Sequence, residues 1–237
     1  MTKLWCLFAL LFSMTLAGCT TIGPVRSCDE IALSALQPLM HEAMPAERVV
    51  EQIRKIYQLP PESVTVHRVE ALSTAAPWLN EKYQVGDTIV SWGKDEARYV
   101  LTIGNERITG IGVMYDQHAP STDQVIRCLG TPEKYWAFYS PGPLPTKRLA
   151  QLHMFFPASG VIASAVRFGD GERPPRFDGN ARVPDFLFVP PGSGEEAIAR
   201  FLSDRPDDMR QQIAQQLKPW PGNWEDIVIE IDPSLRQ

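Results

Sequence analysis

The chain has 237 residues, of which 44% are hydrophobic and 22% are charged, and its formal net charge at pH 7 is −5. This composition is typical of a globular protein with a sizeable core, and the acidic balance without a dense Lys/Arg patch argues against nucleic-acid binding. Beyond the amino-terminal segment, no apolar run approaches the length of a membrane-spanning helix, so we expect a water-soluble body.

The amino terminus has the pattern of an export signal. Lys3 precedes an apolar stretch, residues 4–16, that is too short to cross a bilayer and ends in small residues. The sequence Leu16-Ala17-Gly18-Cys19 resembles the lipobox of bacterial lipoproteins. That resemblance implies a signal peptide, residues 1–18, cut after Gly18, and a diacylated thiol on Cys19.

Lipid on Cys19 implies attachment to a membrane, because two or three acyl chains hold a protein there far longer than one chain. The residue after Cys19 is Thr20 and not an aspartate. In this respect the sequence resembles lipoproteins that are exported to an outer membrane. We therefore expect the outer membrane if the cell has one, and otherwise the outer face of the cytoplasmic membrane. The alternative is an ordinary secreted protein in which Cys19 is incidental.

Two cysteines remain in the body, Cys28 and Cys128. An even pair outside the cytoplasm favours a disulfide, which here would close a loop of about 100 residues. The alternative is that Cys128 is a buried thiol of a short helix while Cys28 lies in a tether.

The next segments alternate between helical and strand patterns. Residues 19–30 are predicted as a lipidated tether, and helical spacing begins at Ile31, with Pro38 dividing that helix. A second helix starts at Pro45 or Ala46 and ends before Leu59-Pro60-Pro61. Four strands are then predicted, at residues 64–69, 88–92, 97–103 and 107–115, the last two joined by a hairpin turn at residues 104–106.

Ser121 with Gln124 predicts the cap of a short helix that ends at Leu129. Further strands are predicted at residues 134–139, 149–156, 161–168 and 186–189. Two helices, residues 194–202 and 207–217, and a strand, residues 227–231, complete the chain.

A helix, a stop that contains proline and a set of antiparallel strands occur twice in the same order. We therefore predict an α+β fold of two tandem helix-plus-antiparallel-sheet repeats with a C-terminal helical segment. The predicted domains are the signal peptide (1–18), the lipidated tether (19–30), the first repeat (31–118), the second repeat (119–190) and the C-terminal helical segment with its final strand (191–237).

The order of elements over residues 46–168, with Leu129-Gly130-Thr131-Pro132, resembles the small lipoproteins of the barrel-assembly machinery. As a tandem duplication it is similar to the β-lactamase inhibitory protein type of fold. The resemblance implies helices on one face of a curved antiparallel sheet, and protein binding by the other face or its rim. It transfers no binding residue to this chain.

Four aromatic residues after the second proline stop are candidate interface residues: Tyr135, Trp136, Phe138 and Tyr139. In a strand, Tyr135 and Tyr139 share the face opposite Trp136 and Phe138, so one pair fills the core and the other lies on an open face. Exposed Trp and Tyr are typical of protein interfaces. The alternative is that the C-terminal segment covers that face and buries both pairs.

The sequence offers no recognisable catalytic or metal motif. It has no Gly-x-Ser-x-Gly elbow, and none of the histidines has a second His or Cys at three or four residues' distance. These histidines are His41, His67, His118 and His153. We predict no catalytic residue, no metal and no cofactor.

The sequence therefore predicts a lipid-anchored cell-envelope protein that acts as a non-catalytic protein-binding or scaffold component. Its expected partners are the membrane, through lipid on Cys19, and an envelope protein, with no nucleic acid. The alternative is an envelope enzyme or small-ligand-binding lipoprotein whose site is assembled from distant residues, and a third option is a purely structural lipoprotein.

Overall fold

One large mixed sheet of ten strands dominates the fold. The structure is a computed structural model that describes residues 26–71, 84–141, 147–170, 175–190, 198–199, 201–202 and 207–231. Its strands are β1 (Val64–Arg68), β2 (Thr88–Lys94), β3 (Ala97–Gly104), β4 (Arg107–Tyr115), β5 (Lys134–Pro141), β6 (Lys147–Phe156), β7 (Val161–Asp170), β8 (Arg182–Phe188), β9 (Lys218–Pro219) and β10 (Glu230–Ile231). The helices are α1 (Cys28–Ile31), α2 (Gln37–Met40), α3 (Ala46–Tyr57), α4 (Thr122–Leu129) and α5 (Asp207–Gln216), with short 3-10 turns at Pro61–Ser63 and Pro157–Ser159.

The strand order across the sheet is β1-β2-β3-β4-β8-β7-β6-β5-β10, and β9 also pairs with β5. All these pairs are antiparallel except β10 with β5, which is parallel. The central junction is between β4 and β8, where Ile111 lies opposite Phe188 and Val113 lies opposite Phe186. Strands that are far apart in the sequence thus meet in the middle of the sheet.

The predicted fold class is wrong. The strands assigned to two separate repeats belong to one sheet, because β8 pairs with β4 over several residues instead of ending a sheet of its own. With ten strands and five helices, the described fold is dominated by this sheet. Alternation along a strand shows which side chains share a face and does not show which distant strand is its neighbour.

The main core lies between one face of the sheet and helices α1 to α4. Helix α3 begins after Pro45 and ends at Gln58, as predicted, and it buries the stripe of Val49, Val50 and Ile53 against the sheet. Gln58 ends the helix because its backbone is left-handed, with φ of 52°. The predicted hairpin between β3 and β4 is also confirmed.

The amino-terminal end of the described chain is part of the body. Arg26 lies within the predicted tether, yet only 6% of its surface is exposed, and its backbone oxygen accepts a hydrogen bond from Gln124 Nε2. Ser27 caps α1 by accepting a hydrogen bond from the Glu30 amide. A disulfide joins Cys28 to Cys128 in α4, with the two Cα atoms 5.0 Å apart. Residues 26–30 therefore pack as part of the folded domain.

A second, smaller core lies on the opposite face of the sheet. There α5 and Leu202 cover one end of the sheet, with Ile213 of α5 fully buried. After α5, Lys218 in β9 forms an ion pair of 2.7 Å with Glu230 in β10, which ties the last described strands together. The first half of this sheet face, over β2, β3 and β4, carries exposed residues.

Candidate functional site

The structure buries three of the four aromatic residues that the sequence suggested as an interface and half-buries the fourth, Tyr139. Tyr135 faces the main core with the half-buried Tyr139, while Trp136 and Phe138 face the second core. The predicted split of the two pairs between opposite faces of β5 is therefore confirmed. The predicted exposed aromatic face is wrong, since both faces of this strand are covered.

Residues of the C-terminal segment shield the Trp136 and Phe138 rings from solvent. Ile213 and Leu202 pack in the same cluster as these rings. On the other face of β5, the Tyr135 hydroxyl accepts a hydrogen bond of 3.1 Å from the Val228 amide. The C-terminal segment thus covers the Trp136 and Phe138 pair, as the alternative prediction has it, while Tyr139 of the other pair is only half-buried.

A different part of the sheet carries exposed apolar side chains. Two rows of residues cross β2, β3 and β4 on the face opposite helices α1 to α4, and we call these six residues the uncovered face. One row is Ser91, Val100 and Gly112, and the other is Gly93, Arg98 and Met114. Val100 is 37% exposed and Met114 is 45% exposed.

The uncovered face is flat at two positions, because Gly93 in β2 and Gly112 in β4 have no side chain to project from the sheet. A Cβ atom built on Gly112 would meet nothing nearer than the Val100 carbonyl oxygen, at 3.8 Å. Glycine inside a strand lowers stability and is often found where another backbone or a ligand comes close. The space above Gly112 is therefore open to a partner.

Charges at the edge of the uncovered face are paired locally. Arg98 donates a hydrogen bond of 2.6 Å to the Asp116 carboxylate and one of 3.2 Å to the Met114 sulfur. Burial raises the pKa of the nearby Asp185 carboxyl, and Arg98 opposes that shift. This surface thus offers apolar contacts and exposed backbone more than an unbalanced charge.

The sheet also brings together a serine and a histidine that sequence motifs did not connect. His153 in β6 lies opposite Ser164 in β7, with 2.7 Å between Nδ1 and Oγ, and Asp185 in β8 is the next residue across the sheet. The imidazole is buried and stacks on Trp136 with 5.2 Å between ring centres. Such a pair can exchange a proton between nitrogen and hydroxyl.

The other histidines do not converge. His41 and His67 are exposed, and His118 contacts Glu96 with 2.6 Å between Nδ1 and the carboxylate. Within the described ranges no group of three or more His, Cys, Asp or Glu side chains is arranged to hold a metal ion.

The predicted signal peptide, residues 1–18, and the predicted lipid attachment at Cys19 lie outside the described residues. Among the residues that the structure does describe, no helix is both long and apolar enough to cross a bilayer. Comparison of the chain with protein-family models, with curated proteins and with solved structures finds no match.

Proposed function

We propose that this protein is a lipid-anchored component of the cell envelope that binds a protein partner through the uncovered face, without a catalytic role. The amino-terminal lipobox pattern supports the anchoring, and the uncovered face supports the binding. This face replaces the aromatic interface suggested by the sequence, since Tyr135, Trp136 and Phe138 are buried and Tyr139 is half-buried.

One observation carries the proposal: two glycines lie in strand interiors on an exposed face beside Val100 and Met114. Replacing either glycine with a residue that has a side chain would stabilise the strand by roughly 0.5–1 kcal/mol. A surface that keeps glycine at such positions allows a close approach of another backbone. Apolar neighbours around that approach provide the contact area that an interface needs.

The partner that fits this surface is flat and mostly apolar where it meets the sheet. Arg98 already pairs with Asp116, so the partner needs no strong charge of its own at this point. Val100 lies opposite Gly112 on β3 and Met114 lies two residues further along β4, so both would contact a partner chain seated over Gly112.

The test uses the full-length lipidated protein in its own membranes, with a photoactivatable benzophenone side chain at position 100. Irradiation should crosslink the protein to one partner protein. Gly112→Gln should abolish that crosslink, because the added side chain fills the space over the strand. The matched control is Ala158→Gln, at an exposed residue in the turn between β6 and β7, which should leave the crosslink intact.

Equal crosslinking of the Gly112→Gln and Ala158→Gln proteins contradicts the proposed surface, provided that both proteins unfold at the wild-type temperature or above. The anchoring is tested separately by acyl incorporation in cells. The wild-type chain should take up labelled fatty acid, and the Cys19→Ala chain should not. Equal labelling of the two chains contradicts lipid attachment at Cys19.

A second candidate function, an envelope hydrolase, is favoured by the contact of 2.7 Å between Ser164 and His153. The half-buried serine would act as nucleophile and the histidine as base. A serine-directed phosphonate probe should then label the wild-type protein and leave Ser164→Ala unlabelled. Absence of labelling in the wild-type protein rejects this function and leaves the binding proposal standing.

A further inference from the structure

Three aromatic side chains from different elements meet under the end of helix α3. The Trp92 and Tyr99 rings lie parallel with 5.0 Å between their centres, and the Tyr57 ring lies 5.6 Å from the first and 5.3 Å from the second. Trp92 and Tyr99 are buried on neighbouring strands, while Tyr57 is the last residue of α3 and is half-buried. The cluster therefore reaches the surface at Tyr57.

Arg26 extends the cluster on the side of the amino terminus. Its guanidinium carbon lies 4.9 Å from the centre of the Tyr115 ring, and Nη2 donates a hydrogen bond of 2.5 Å to the Asp95 carbonyl oxygen. Nη1 lies 3.7 Å from the Glu30 carboxylate, whose side chain is half exposed. The positive charge of Arg26 is thus balanced within the cluster.

Several polar atoms of the cluster have no protein partner. Arg26 Nε and Trp92 Nε1 are buried N–H donors that make no hydrogen bond. Within the described part of the chain, the hydroxyls of Tyr57, Tyr99 and Tyr115 make no hydrogen bond to the protein either, but these oxygens are not fully buried and are open to solvent. Buried polar groups in folded proteins are nearly always hydrogen-bonded, so each exception calls for an explanation such as a bound molecule.

The three tyrosine hydroxyls lie near one another. Burial raises the pKa of Tyr57, and the proximity of Tyr99 and Tyr115 raises it further. The pKa of Tyr115 is raised by burial and then by Tyr99, while Arg26 opposes that shift. Tyr99 and Tyr115 lie on the same face of β3 and β4, while Tyr57 contacts the Tyr99 ring from α3 and Arg26 contacts the Tyr115 ring from the amino-terminal segment.

We propose that this cluster, Arg26, Tyr57, Trp92, Tyr99 and Tyr115, is a binding site for a small neutral ring compound whose edge carries hydroxyl or carbonyl oxygens. The two buried N–H groups require acceptor oxygens. The tyrosine hydroxyls both donate and accept, and the half-buried Tyr57 ring offers an apolar surface to a ring-shaped ligand. A net charge on the ligand is unfavourable, because Arg26 repels a cation and Glu30 repels an anion.

Sugars and phenolic amides share this chemistry, so the test has two arms. N-acetyl-D-glucosamine and 4-hydroxybenzamide are each titrated, at millimolar concentration, into the isotopically labelled protein. At least one probe should shift the indole N–H resonance of Trp92, and the arm that responds identifies the source of the ring. Absence of a shift with both probes overturns the proposal.

The variants remove single hydroxyls and keep the rings. Tyr99→Phe and Tyr115→Phe should each weaken binding of the responding probe about tenfold, the effect of one hydrogen bond, without lowering the unfolding temperature. Tyr139→Phe, the same change at a distant residue of β5, should leave binding unchanged. A lower unfolding temperature with unchanged probe affinity would show that the hydroxyls are structural and would overturn the proposal.

This site is independent of the proposed partner surface, since Gly112 lies on the other face of the sheet. Gly112→Gln should therefore leave probe binding unchanged. Loss of the crosslink therefore tests the partner surface alone, and probe binding tests the ring-compound site alone.

Discussion

The indole nitrogen of Trp136 donates a hydrogen bond of 3.0 Å to the side-chain oxygen of Gln216. This contact joins β5, near one edge of the sheet, to the last turn of α5, 80 residues further along the chain. Because a buried indole N–H needs an acceptor, Gln216 lets the Trp136 ring lie under the helix. The helix and the ring therefore stabilise each other.

Ile213 should be the residue of α5 on which this packing depends most. It is fully buried in the second core, so Ile213→Ala should lower the free energy of unfolding by about 2–4 kcal/mol through lost burial and a cavity. Urea unfolding followed by tryptophan fluorescence measures the loss. Gln212→Ala, at the exposed preceding residue, is the control and should change stability by less than about 0.5 kcal/mol. Similar losses in both variants contradict the packing of α5 on the sheet.

The disulfide between Cys28 and Cys128 should contribute substantially to stability. It closes a loop with a sequence separation of 100 residues, and the loss of such a loop costs at most about 4–5 kcal/mol in the chain-entropy model. The double variant Cys28→Ser/Cys128→Ser should therefore unfold at lower urea concentration than the wild type. Reduced wild-type protein should unfold at the same concentration as the variant. Alkylation of both cysteines in the unreduced, denatured protein would contradict the bond.

Stability should decrease at alkaline pH. Burial raises the pKa of Tyr57, Tyr99 and Tyr115 above the ordinary value of 10.0. The folded state then keeps protons that the unfolded state releases, so the stabilisation is complete below pH 10 and is lost as pH rises toward the folded-state values. Urea unfolding at a series of pH values, with tyrosinate absorbance as a second readout, measures this. Tyr57→Phe should make the decrease less steep, and tyrosines that all ionise at pH 10 in the folded protein would contradict it.

Two glycines should respond in opposite directions to the same substitution. Gly112→Ala should raise the free energy of unfolding by about 0.5–1 kcal/mol, because the strand loses flexibility in the unfolded state and the new Cβ has room. Gly160→Ala should lower it by more than about 1 kcal/mol, since its φ is +64° and the new Cβ would collide with the Val189 carbonyl oxygen. Thermal unfolding of the two variants decides the signs. A loss in the first variant would contradict the open space above Gly112.

Local features of the fold are readable from the sequence where a few neighbouring residues determine the conformation. Asn105 and Glu106 adopt left-handed backbone in the turn between β3 and β4, as a two-residue hairpin requires. Ser121 accepts a hydrogen bond of 3.2 Å from the Gln124 amide at the start of α4. The ends of these elements were therefore predictable within a few residues.

Pairing between distant segments is the part that local patterns do not contain. The alternation of apolar residues along β4 indicates that Val113 faces a core. Nothing near Val113 in the sequence specifies Phe186 as its neighbour across the sheet. The same applies to Trp136, whose exposure depends on where α5 packs. A signal for the uncovered face was present, since Gly112 interrupts the apolar residues at the centre of β4.

The disulfide has a mechanical consequence for a chain that is held by its amino end. Tension applied there reaches Cys28 and crosses the covalent bond to Cys128. The segment between these residues, which contains β1 to β4, lies in a closed loop and bears none of that tension along its backbone. A protein loaded from its amino terminus thus transmits force directly into α4, while four of the ten strands of its sheet stay out of the line of force.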